Sequence, residues 1–351
     1  MRQGARRAGR RVAAAGLYLA IASMAVLGVS TPAQAQKHLD ATVGYYPGAL
    51  ISLPVLVAND QKFFDKDGLT VELVPISTGP AMTSAVASGS VTFVNNSWDN
   101  LLVSVSQGLP VRGVAGSTIK MPFALIGRKG LVLPHAKQGY PAVIKDLVGK
   151  KWGVLALGVS VQYISQILLT GAGYKPDDVT FLAVGLPNTA RPALQRGTID
   201  TYLSVEPLPS IVAARQEGTV ILNLDENQGP DIFHDLGYNG WWATTATIKE
   251  KPEIVSRFEK SLEDAYCWYS KPDNLDSVVT ILQRYVKVPE LSGSEYKTMV
   301  KQILPSYGLD ITARTIDTWS RLLVDQKLIS APKTRSEVFA PTARENFRCA
   351  N

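Results

Sequence analysis

The chain has 351 residues, 46% of them hydrophobic and 19% charged, which excludes a disordered polypeptide and a mini-protein held only by staples. Two widely separated cysteines and three scattered histidines exclude a disulfide-dense scaffold, a structural zinc module and a histidine-based metal site. The formal charge of +6 is basic, but its location matters more than its size.

Arg2, Arg6, Arg7, Arg10 and Arg11 precede the apolar run Val12–Val29, and Ala33-Gln34-Ala35 follows. This is the order of a cleavable export signal over residues 1–35. The competing view is an uncleaved anchor; Pro32 and the small residues around it favour cleavage. Cleavage removes five of the 36 basic residues and leaves 31 against 30 acidic ones, so no charge argument for nucleic acid survives. The length suggests roughly two domains of ~150 residues.

The body alternates strands and helices. Leu39–Tyr46 reads as a strand, closed by Pro47-Gly48. A helix follows over 51–60, with Ser52 near its start and Pro54 in its first turn. Leu69–Pro75 is a second strand, and Thr78-Gly79-Pro80 opens a helix that ends at Gly89. Val91–Val94 is a strand, Asn95-Asn96-Ser97 caps a helix through Ser106, and Val111–Ala115 is again a strand. A second set runs from the strand Trp152–Leu155 through Gly158-Val159-Ser160 into a helix over 161–171. It continues with the strand Asp178–Val184, a helix from Pro187 to Gly197, and the strand Ile199–Val205. Ala85-x-x-x-Gly89-Ser90-Val91 is echoed by Ala193-x-x-x-Gly197-Thr198-Ile199, as in two α/β lobes built alike. From Trp242 onward the periodicity is helical: Ile254, Phe258, Leu262, Ala265 and Tyr269, then Tyr296, Met299, Val300 and Ile303.

Nothing here carries an obvious reaction. Phosphate-loop, dinucleotide and nucleophile-elbow motifs are incomplete, and His38, His135 and His234 stand apart. What recurs is a hydroxyl, amide or glycine at a helix start after a strand: Pro47–Ser52, Thr78-Gly79-Pro80, Asn95-Asn96-Ser97 and Gly158-Val159-Ser160. Such turns serve as caps. In an open α/β sheet they also converge at the carboxyl ends of the strands, where ligands bind. Tyr45, Tyr46, Trp98, Tyr238, Trp241 and Trp242 offer ring faces, and each has core packing as its alternative. Glu206, before Pro207, faces a ligand or plays a structural part. Cys267 and Cys349 form a bridge or remain two thiols; spacing leaves both open.

In order along residues 38–270 stand Gly44-Tyr-Tyr-Pro-Gly48, Ala58-Asn-Asp-Gln-Lys-Phe-Phe64, Gly68-Leu69-x-Val71-Glu72, Ser77-Thr-Gly79 and Ala87-Ser-Gly-Ser-Val-Thr-Phe93. Gly197-x-Ile199-Asp200, Glu206-Pro207, Lys251-Pro-Glu-Ile-Val255 and Ala265-x-x-Trp268 follow. On these segments the chain resembles the periplasmic solute-binding proteins of ABC importers in the nitrate/sulfonate/taurine group, related to the thiamine-precursor binding proteins. It departs from them at Gln61-Lys62, where Lys-Gly is frequent, and at Thr92, near a frequent Asp.

The resemblance implies a two-lobed Venus-flytrap α/β fold with mostly parallel sheets. Residues 36–122 and 241–351 would form one lobe and 123–240 the other. It further implies a monomeric periplasmic binding protein, not an enzyme, with no cofactor and no metal. Its partners would be a small solute and an inner-membrane ABC permease, and not nucleic acid. The residues expected around the solute are Tyr45, Pro47, Ser52, Thr78, Gly79, Asn96, Ser97, Trp98, Gly158, Ser160, Glu206 and Trp241. Helix starts favour an organic anion such as a sulfonate or aromatic carboxylate. The alternatives are a thiamine-precursor pyrimidine as ligand, or a secreted enzyme on the same fold.

Overall fold

The computed structural model describes residues 38–349; the export signal expected at 1–35 lies outside them. The strands are β1 (Leu39–Tyr45), β2 (Leu69–Pro75), β3 (Phe93–Ser97), β4 (Val111–Gly116), β5 (Ala124–Arg128), β6 (Lys151–Val154), β7 (Thr180–Ala183), β8 (Thr201–Ser204), β9 (Gly218–Asn223) and β10 (Asn239–Thr244). They form two five-stranded sheets, ordered β2-β1-β3-β10-β4 and β7-β6-β8-β5-β9.

The two sheets share one layout. In each, the first three strands pair in parallel through crossover helices: β1 with β2 and β3, β6 with β7 and β8. The fourth place goes to a strand arriving from the other half of the molecule, β10 in one sheet and β5 in the other. Both of these run antiparallel to their neighbours. Four of the five strands in each sheet therefore run the same way, so the sheets are mostly parallel, as expected, with one antiparallel strand inserted in each. A chain entering from the opposite lobe inserts against the direction of the crossover units.

The glycines that end corresponding helices behave alike. Gly89 and Gly197 have φ of +75° and +69°, which a side chain would resist, and each turns the chain toward its next strand. Asn95 and Asn96, expected as caps, belong to β3 instead. They face Trp241 and Gly240 of β10, which satisfies their backbone from the ladder.

The core of the first sheet is aromatic. Phe258 stacks on Phe93 at 4.0 Å and on Phe64 at 5.8 Å between centroids, and Trp241 meets it edge-on at 5.6 Å. Phe258 projects from the helix Pro252–Tyr269, whose buried face is the sequence-legible row Ile254, Phe258, Leu262, Ala265 and Tyr269. Cys267 on this helix is bonded to Cys349, with Cα atoms 5.5 Å apart.

Candidate functional site

A cavity of about 500 Å³ opens between the two sheets. Its walls are the segments leaving the carboxyl ends of parallel strands: Tyr46–Ala49 and Ile51 after β1, Ser77, Gly79 and Pro80 after β2, Ser97 and Asn100 at the end of β3 and beyond. From the other sheet come Leu155, Val159, Ser160 and Val161 after β6, Leu186–Asn188 after β7, and Ser204 and Val205 at the end of β8. Phe123 and Tyr238 enter just ahead of β5 and β10, whose amino ends lie on this side because those strands are antiparallel. This is the crevice where open α/β sheets hold ligands.

Each of the four turns singled out in the sequence contributes to the lining: Pro47, Gly79, Ser97 and Ser160 face the cavity. Others stand behind it. Ser52 Oγ accepts a hydrogen bond from the Tyr46 amide at 3.0 Å and so shapes the first turn. Thr78 caps its helix, accepting from the Ala81 amide at 3.3 Å. Asn96 is fully buried: its amide donates to Gly79 O at 3.0 Å, and its Oδ1 accepts from Tyr46 Oη at 3.3 Å and Asn100 Nδ2 at 3.2 Å. It thereby ties three lining segments together. Gly158 holds φ +74° and donates its amide to Gln162 Oε1 at 2.6 Å, which sets the turn before Ser160.

Tyr45 is half-buried at the end of β1, packed against the first core. Trp98 and Trp241 are core residues, and Trp98 packs edge-on against Phe339 at 5.2 Å. Glu206 lies apart, in a small cavity of about 50 Å³ with Asp225 and Tyr307 near the crossings between sheets. Burial pushes its carboxyl up to about 7, with Asp225 adding to the rise and Ser210 opposing it.

The residue that the sequence left unmarked is Asp99, 3% exposed at the start of the helix Trp98–Ser106. Ser160, from the opposite lobe, donates its hydroxyl to Asp99 Oδ2. Ser97 Oγ lies 3.2 Å from Ser160 Oγ. Asp99 Oδ1 makes no hydrogen bond of good geometry. Burial pushes this carboxyl above the usual range, while the Ser160 and Ser97 hydroxyls and two backbone amides at the helix start oppose the rise. Burial, with the Asp99 charge behind it, also raises Tyr46 and Tyr238, so both phenols stay protonated. An acid in a first helical turn is an ordinary complement to the dipole, which is why Asp99 gave no signal. Phe123 gave none because β5 was not legible.

Among the described residues, no Arg, Lys, His, Asp or Glu lines the cavity. Tyr238 meets Phe123 edge-on at 4.8 Å, and Tyr46 and Tyr202 add further ring surface. The arrangement can enclose an apolar ring system and hydrogen-bond its edges with neutral side chains. No group of three His, Cys, Asp or Glu placed to hold a metal occurs among the described residues.

Known proteins are similar to this chain. A Schizosaccharomyces pombe 4-amino-5-hydroxymethyl-2-methylpyrimidine phosphate synthase is 26% identical over 69% of this chain and 67% of its own length. The riboflavin-binding protein RibY of Chloroflexus aurantiacus is 22% identical over 79% of this chain and 75% of its own. Among solved structures, the periplasmic aliphatic sulphonate binding protein SsuA from Escherichia coli superposes with a TM-score of 0.69. It is 14% identical and covers 89% of this chain and 95% of its own, a likeness of fold. The family described as NMT1/THI5 like matches residues 51–274, and the chain belongs to that family.

Proposed function

We propose that this protein is the exported solute-binding component of an ABC importer, holding a small organic solute between its lobes for an inner-membrane permease. The observation that carries this is the cavity of about 500 Å³ walled by strand-end turns of both sheets, with aromatic faces and neutral hydrogen-bonding groups. The export signal at residues 1–35 accords with a periplasmic location.

In this reading, residues 38–122 with 241–349 close against residues 123–240. The two crossings between sheets, joined by the hydrogen bond from Thr118 Oγ1 to Asn239 Oδ1 at 2.7 Å, act as the hinge. Of the solutes raised by the sequence, a flat uncharged heterocycle of the pyrimidine type suits the lining better than a sulfonate or carboxylate. An anion would find no cationic side chain in the wall.

The test is a thermal-shift screen of the mature protein against pyrimidines, flavins, aromatic carboxylates and alkanesulfonates, followed by mass spectrometry of the recovered ligand. Binding without conversion is expected; ligand at ~100 times Kd adds about 2.7 kcal/mol to the native state. Chemical conversion of the ligand, or no stabilisation across the set, overturns the proposal.

A further inference from the structure

Arg191 lies one turn into the helix Pro187–Gln195, whose first residues, Pro187 and Asn188, line the cavity. Its guanidinium grips Glu217 through two hydrogen bonds, Nε to Oε2 and Nη2 to Oε1, both at 2.8 Å. The remaining nitrogen, Nη1, donates to Glu290 Oε1. Arg191 and Glu217 belong to residues 123–240, whereas Glu290 shortly precedes the helix Gly293–Ile303 of the first lobe. Of the ion pairs among the described residues, Arg191–Glu290 alone joins the two lobes; the others stay within one.

The two carboxylates have different tasks. The fork of charge-assisted bonds to Glu217 fixes the plane of the guanidinium, so Nη1 is aimed before Glu290 arrives. The Arg191 hydrogen bond also draws the Glu217 carboxyl below the usual range, which keeps that partner ionised. With the lobes apart, Glu217 still neutralises Arg191, and the partly exposed Glu290 returns to water. Opening therefore strands no buried charge, and closing adds one directional bond to an ordered partner. A contact made in the closed form and absent from the open one shifts that equilibrium by its own free energy. The affinity of a solute held by the closed form shifts with it.

We infer that Arg191 and Glu290 form a latch between the lobes, which engages as the cleft closes and tightens the hold on a solute that neither residue touches. This rests on the cavity being the solute site; neither side chain lines it. The wall carries no charged side chain, so an uncharged solute gives salt little besides the latch to act on.

The test uses lumichrome, a flat uncharged three-ring heterocycle, with calorimetry on the mature protein at about 50 and 500 mM salt. The parent is expected to lose about threefold in affinity between the two. Glu290→Gln is expected to bind about threefold more weakly at low salt and to respond little to added salt. Glu290→Lys sets two cations face to face. It is expected to bind about tenfold more weakly at low salt and to recover part of the loss at high salt. Glu217 still pairs with Arg191 in both variants, so folding is not at stake. Where lumichrome does not bind but another compound of the wider screen does, small-angle scattering of the ligand-free protein decides. Glu290→Lys is then expected to show a larger radius of gyration than the parent at low salt, and less difference at high salt. Affinities equal to the parent's, a weakening that salt does not alter, or equal radii in the scattering arm overturn this inference and leave the proposed function standing. A blank across the wider screen overturns the two together.

Discussion

Gly79 shows how closely a single position governs the cavity wall. A Cβ built there would lie 2.4 Å from Asn100 Nδ2 and 3.1 Å from Asn96 Oδ1. Asn96 is buried and held by several partners, so it cannot retreat; Asn100 lines the cavity and can. Gly79→Ala is therefore expected to push the Asn100 amide into the ligand space. The loss would be read as roughly tenfold weaker affinity for the best ligand of the screen. The melting temperature is expected to change little, because the side chain that yields is flexible and only about 1 kcal/mol is at stake. An unchanged affinity with a large loss of stability would show that the wall, not Asn100, gives way. Sequence singled out Gly79 as a helix-start residue, but not the neighbour that makes it matter.

At the level of elements, the C-terminal tail is attached to the helix Pro252–Tyr269 in several ways. Besides the Cys267–Cys349 bond, Thr342 donates to Glu259 at 2.7 Å, Arg344 pairs with Glu263 at 2.7 Å, and Phe347 packs edge-on against Tyr266 at 5.8 Å. The disulfide closes a loop over a sequence separation of 82, for which chain entropy alone predicts a contribution of about 4.5 kcal/mol. The other contacts persist after reduction, so the paired replacement Cys267→Ser with Cys349→Ser is expected to cost about 2–3 kcal/mol in denaturant unfolding. Ligand affinity is expected to stay the same, since neither cysteine approaches the cavity. A change in affinity would mean that the tail communicates with the lobes.

Across the whole molecule, the crossings between sheets carry a titratable group. The Glu206 carboxyl, raised by burial to about 7, sits in the small cavity beside Asp225, whose own carboxyl is raised first by burial. A carboxyl whose folded pKa exceeds its unfolded one holds its proton more tightly in the native state. Its contribution to stability is complete below the unfolded value of 4.5 and is lost as pH rises through about 7. Glu206→Gln keeps the shape and removes the titration. It is expected to raise the melting temperature at pH 8 relative to the parent and to flatten its decline between pH 5 and 7.5, measured by calorimetry. A variant whose pH profile matches the parent would place the titration elsewhere.

The sequence determined the parallel crossover units and their turns, because hydrophobic period, glycine and capping residues are local signals. β2 lies at its expected bounds Leu69–Pro75, and the buried row from Ile254 to Tyr269 follows its three-and-four spacing. All four turns that the sequence marked as candidate ligand contacts reach the cavity, though Leu186–Asn188 after β7, which also lines it, was not among them. It did not reveal β5, β9 or β10. β5 and β10 are short, nearly fully buried runs, and all three pair only with strands distant along the chain. Tertiary structure alone decided which aromatics are core and which are wall, and it set Asp99 against Ser160 from the opposite lobe. Local pattern records a residue's chemistry and its face; the charge and polarity of a cavity arise only when two separately folded sheets bring their strand ends together.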